Sequence, residues 1–88
     1  MIEKQYTITA AEGIHARPAS TLVGSLAPFK SEITLELNDK KVNLKSILGV
    51  MSLGIPSGAS VKIVANGEDE NEAMAKVAEI MKTEGIGN

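Results

Sequence analysis

The only histidine and the only arginine of this chain stand two residues apart, in Gly13-Ile14-His15-Ala16-Arg17-Pro18-Ala19. An imidazole is largely neutral near pH 7 and then carries one lone-pair nitrogen able to attack an electrophile. Arginine is a planar, permanent cation whose donors suit the oxygens of a phosphoryl group in transfer. Just beyond them, Ala19, Leu22, Val23 and Leu26 recur at i, i+3, i+4 and i+7, the period of a helix with one apolar face. His15 therefore reads as the N-cap or first residue of that helix. There the amides of Ala16 and Arg17 lack a carbonyl within the helix, and the dipole is positive. Pro18 offers no amide, and at the third helical position its missing N–H would have had no partner anyway. A nucleophile, a fixed cation and anion-binding backbone on one turn predict a site that takes up and releases a phosphoryl group. H-x-R by itself is a poor motif, and a single histidine at a helix start is more often a surface cap. The added weight comes from the chain's sole His and sole Arg meeting at one helix start.

The rest of the composition narrows what such a site can be. There is no cysteine, hence no disulfide framework, thiolate metal site or cysteine nucleophile. With one histidine, a structural metal is not expected, nor is a cofactor. No G-x-S-x-G, P-loop or G-x-G-x-x-G occurs, and Glu68-Asp69-Glu70 reads as helix-start charge and not as a ligand set. His15 is thus expected to carry a group activated elsewhere, not to centre a complete enzyme active site. A net charge of -2 with one Phe, one Tyr and no Trp disfavours nucleic-acid binding. No stretch approaches the length of a membrane span and the start lacks a secretory pattern, so a cytoplasmic protein without membrane insertion is expected.

The elements that position the site follow from periodicity. Ile2 to Thr9 alternates as a strand, with Lys4, Tyr6 and Ile8 on one face. Pro28 ends the first helix, with Phe29 expected as a core anchor beyond it. Ile33, Leu35 and Leu37 mark a second strand, Asn38-Asp39-Lys40 a turn, and Lys41 to Leu44 the return strand of a hairpin. Ser60 to Ala65 points Val61, Ile63 and Ala65 inward, and a last helix presents Ala73, Met74, Val77, Ile80 and Met81 before ending near Gly85. Residues 1–88 thus read as one domain of order β-α-β-β-α-β-α, helices stacked on one face of a mostly antiparallel sheet.

A short helix from Ser46 to Leu53 is bounded by Ser46 as N-cap and Gly54 as C′ glycine. It carries too many apolar residues to bury. If Val50 and Leu53 face the sheet, Ile47, Leu48 and Met51 cannot all join them. The patch reads either as a partner surface or as an enclosed helix. A phosphate on Ser46 would place about two negative charges beside that patch.

The two motifs, Gly13–Ala19 and Val42–Ile47 continued by Gly49–Ile55, resemble HPr, the histidine-containing phosphocarrier family of the bacterial phosphoenolpyruvate:sugar phosphotransferase system, in its Gram-positive form. The resemblance spans essentially the whole chain. It implies an α+β open-faced β-sandwich, with a four-stranded antiparallel sheet under three helices. It also implies that His15 accepts a phosphoryl group on Nδ1 from phosphorylated enzyme I and passes it to IIA domains of sugar permeases. Arg17 is then the charge partner, and Ser46 the target of an HPr kinase/phosphorylase. The seryl-phosphorylated form becomes corepressor to a catabolite-control transcription factor, and Ile47, Leu48 and Met51 are docking residues. A monomer is expected. Glu12 departs from the small polar residue more usual in the family, and its charge is expected to slow loading. Leu48 stands where this branch usually has Met, and Gly24 and Pro28 put the length of the first helix in question. Two other readings follow from the same residues: a purely regulatory module acting through Ser46, and a nucleic-acid or small-ligand module on a similar α+β layout, against which charge and aromatic content count for nucleic acid.

Overall fold

Alternation of Val, Ile, Leu and Thr with charged residues builds four strands, each with one face suited to a core. In the computed structural model, which describes residues 1–88, the order is β1 (Ile2–Thr7), α1 (Ala16–Leu26), β2 (Glu32–Leu37), β3 (Lys40–Asn43), α2 (Ile47–Ser52), β4 (Ser60–Asn66) and α3 (Glu70–Thr83). The strands lie in the order β1-β4-β2-β3, and every pairing is antiparallel. Tyr6 faces Val61 and Leu35 faces Ile63 across these ladders, which sets the inward residues side by side. The opposite sheet face is polar and carries a bridge in which Lys62 lies 3.2 Å from Glu3 and 3.4 Å from Glu36. Hydrogen bonding to those carboxylates, Glu3 first, holds the lysine's pKa above its ordinary value.

Helices cover the inward face. Ala19, Leu22, Val23 and Leu26 of α1 and Ala73, Met74, Val77, Ile80 and Met81 of α3 are all buried, as their spacing predicts. They join Ile33, Leu35, Val61, Ile63 and Ala65 in one aliphatic core. The observed architecture is the open four-stranded sandwich with three helices that the sequence leads one to expect. No helix is long and apolar enough to cross a membrane.

Several local expectations are corrected. The first strand ends at Thr7, and Ile8 forms only an isolated bridge, to Gly87. The return strand of the hairpin starts at Lys40, because Asn38 alone takes the left-handed conformation (φ 58°) that a tight reversal requires. Phe29 is half-buried at the core's rim, since its place is the connection after α1 and not an inward strand position. Asp69 occupies the N-cap position of α3 without capping it. Its carboxylate instead accepts from the Lys30 amide (2.8 Å), the Ser31 amide (2.9 Å) and the Ser31 hydroxyl. Those bonds, led by the Ser31 hydroxyl, lower its pKa to about 2. Glu70 takes up the local backbone task, accepting from the Gly67 amide at 3.0 Å. The terminal Ile86–Asn88 segment, which periodicity leaves unassigned, pairs back along the free edge of β1 through Thr7, Thr9 and Ala10, with Ile86 fully buried.

Candidate functional site

His15 is the N-cap of α1, in extended backbone (φ -107°, ψ -173°), and its carbonyl accepts the first helical bond from the Ala19 amide at 3.1 Å. The side chain makes no capping bond. The amides of Ala16 and Arg17 have no backbone acceptor, and Pro18, buried beneath them, contributes none. The helix start is thus open toward solvent with two free donors and the positive end of the dipole. Arg17 is exposed and has no carboxylate partner, so its guanidinium is unclaimed. The residues expected to act together, His15, Ala16 and Arg17, do share one turn.

The loop bearing His15 is held from behind. Gly13 adopts φ +71°, and the Ile14 amide donates to the Ile55 carbonyl at 3.0 Å. A Cβ on Gly13 would lie 2.1 Å from that carbonyl oxygen, so the two loops approach as closely as backbone permits. Ile55 follows α2, and this contact ties the start of α1 to the end of α2. A glycine before the motif is a local signal for such a turn, whereas its partner loop lies some forty residues on and leaves no local signal.

Ser46 stands at the far end of α2. Its hydroxyl accepts from the Gly49 amide at 3.1 Å, a true N-cap, and Gly54 at φ +59° closes the helix as expected. Val50 is buried and Leu53 half-buried, whereas Ile47 (41% exposed), Leu48 (83%) and Met51 (38%) remain outside. Of the two readings of this helix, the exposed patch is the one observed. Because α2 is six residues long, Ser46 is displaced from the end bound to the His15 loop by ~9 Å of helix rise. The structure therefore does not merge Ser46 with His15 but sets them at opposite ends of one short apolar helix.

Glu12 is more than the repelling charge its type implies. Its Oε2 lies 3.3 Å from His15 Nε2, with both side chains in contact with solvent. The i,i+3 spacing of an acid before the histidine was the signal available for this contact. The surface concavities lie elsewhere. One of about 390 Å3 is lined by Lys30, Ser31, Lys41 and Lys45, and another of about 500 Å3 by Lys4, Tyr6, Lys82 and Asn88. His15, Arg17 and Ser46 line no cavity. An imidazole outside every concavity suits contact with another macromolecule's site better than enclosure of a free small substrate.

Comparison with known proteins agrees with this fold. A family model described as the PTS HPr component phosphorylation site matches residues 2–83. The histidine-containing phosphocarrier protein of a Mycoplasma superposes with a TM-score of 0.96 at 36% identity, covering 99% of each chain. A phosphocarrier protein HPr from Bacillus anthracis gives 0.82 at 35% identity over 90% of this chain and 94% of that one. Crh, the catabolite-repression protein of Bacillus subtilis described as a domain-swapped dimer, gives 0.74 at 40% identity over 96% and 97%.

Proposed function

The chain belongs to the HPr family of the phosphotransferase system, and from that premise we propose that His15 is the residue through which this phosphocarrier works. The phosphoryl group arrives from phosphorylated enzyme I, resides on His15 Nδ1, and leaves to IIA domains of sugar permeases, in the cytoplasm. The observation that carries the reading is the open start of α1. An exposed imidazole, two unpartnered amides and an unpaired Arg17 fall within the cap and first turn of one helix. Transfer asks little covalent chemistry of the protein beyond the nucleophilic nitrogen. It does ask for compensation of charge on the equatorial oxygens, which Arg17 and the Ala16 and Arg17 amides supply. Ile47, Leu48 and Met51 offer the apolar contact by which partners dock. The protein, one domain over 1–88, acts as carrier and not as enzyme, as a monomer.

Ser46 is proposed as the regulatory site for an HPr kinase/phosphorylase. Its phosphorylated form would serve a catabolite-control transcription factor as corepressor. The similarity to Crh favours this second layer, and His15 speaks for transport activity beside it. Incubation with phosphoenolpyruvate and enzyme I is expected to give an acid-labile, base-stable modification on His15 that is lost in His15→Ala. Absence of label in the wild-type chain rejects the phosphocarrier role. A His15→Ala chain with normal sugar uptake, paired with a Ser46→Asp chain that binds the transcription factor, would leave the purely regulatory reading.

A further inference from the structure

We propose that Glu12 is a positioning residue for His15, an inference that rests on the phosphocarrier reading and assigns the carboxylate a task opposite to simple repulsion. Glu12 Oε2 stands 3.3 Å from Nε2 of the ring. An ionised carboxylate has only acceptors, so the nitrogen facing it is favoured as the one that carries the proton. A neutral imidazole has a single ring proton, and with that proton on Nε2 the lone pair belongs to Nδ1. The contact therefore selects the tautomer whose nucleophilic nitrogen is turned from the carboxylate.

In the transfer itself, the Nδ1 lone pair forms the new N–P bond while the donor's bond to phosphorus breaks, and the donor keeps that electron pair. No proton has to move. Nε2 retains its hydrogen, and the ring gains positive charge as Nδ1 is phosphorylated. Glu12 faces this growing charge from the Nε2 side, in the manner of the aspartate behind a catalytic histidine of a serine protease. Repulsion between the carboxylate and the phosphoryl oxygens opposes the effect. It acts across the ring while the attraction acts at contact, and the labelling rates below measure the balance between them. Both side chains reach solvent (46% exposed for His15, 78% for Glu12), which limits the gain to that of a surface ion pair, roughly two- to fivefold in rate.

The test compares wild type, Glu12→Ala and Glu12→Gln. Ring 15N shifts of the unphosphorylated chains report the tautomer, and labelling by phosphorylated enzyme I reports the rate. Wild type should hold the Nε2–H form in larger excess than a free histidine, where that form already predominates, and Glu12→Ala should fall back toward the free ratio and slow labelling by that factor. Glu12→Gln, whose amide oxygen still accepts a hydrogen bond, should keep the tautomer yet lose the rate. An unchanged tautomer ratio in Glu12→Ala, or faster labelling than wild type, overturns the proposal. A wild-type chain that takes no label on His15 rejects the phosphocarrier reading instead, and the tautomer comparison then still decides whether Glu12 orients the ring.

Discussion

Arg17 reaches solvent beside His15 with no acid to neutralise it, although the chain carries eleven Asp and Glu residues. A cation left unpaired at a helix start keeps its full attraction for an incoming anion, and its fork of donors matches phosphoryl oxygens in a way lysine does not. Removing it should leave the fold alone, because the side chain is exposed and holds no ion pair. Arg17→Ala is therefore expected to slow labelling of His15 by roughly ten- to a hundredfold, the equivalent of one hydrogen-bonded charge, with an unchanged thermal midpoint. Equal rates in the two chains would remove Arg17 from the mechanism.

Helix α2 shows how one element serves stability and recognition together. Six residues cannot sustain a helix by propensity, so it depends on buried Val50, on the Ser46 cap and on its contact with α1. Ser46→Ala leaves the Gly49 amide without its acceptor and should cost about 1 kcal/mol in urea unfolding. Ser46→Asp, an equally good cap, should stay within a few tenths of wild type. If both substitutions destabilise alike, the hydroxyl has a role other than capping. The exposure of Ile47, Leu48 and Met51 follows from the same geometry. A two-turn helix with one face toward the sheet has no second surface on which to hide three more apolar side chains.

Across the whole molecule, the start of α1 is held to the loop after α2 by backbone and not by side chains. Gly13→Ala would combine a disfavoured left-handed conformation with collision against the Ile55 carbonyl. It is expected to destabilise by about 2 kcal/mol or more and to slow His15 labelling with it. A fully stable Gly13→Ala chain would contradict the close approach of the two loops. Asp69 provides a second tie, from the start of α3 to the residues ahead of β2. Its folded pKa lies near 2, below the ordinary 3.8. The stabilisation it gives is complete above the ordinary value and is lost as pH falls through the folded one. Glu70, lowered by the N-terminal amine and the Gly67 amide, acts in the same direction. Stability should therefore decline between about pH 4 and pH 2, and Asp69→Asn should lower stability at neutral pH while flattening that decline. An acid limb identical to wild type would show that the carboxylate contributes no net stability.

The sequence by itself determined the order of elements, the inward faces of strands and helices, the cap at Ser46 and the coincidence of His15 with Arg17. These depend on periods of two and 3.6 residues and on local backbone chemistry, which are legible within a short window. Only the tertiary structure decided the strand order, the tail laid along β1 and the meeting of Gly13 with Ile55. It also decided the diversion of Asp69 from capping to a distant loop. Each of these joins segments remote in the chain, where the partner is chosen by packing and by backbone groups that every residue carries. The exposed face of α2 falls between the two. The excess of apolar residues was readable, but whether they met solvent or a neighbour depended on what the rest of the fold placed beside them.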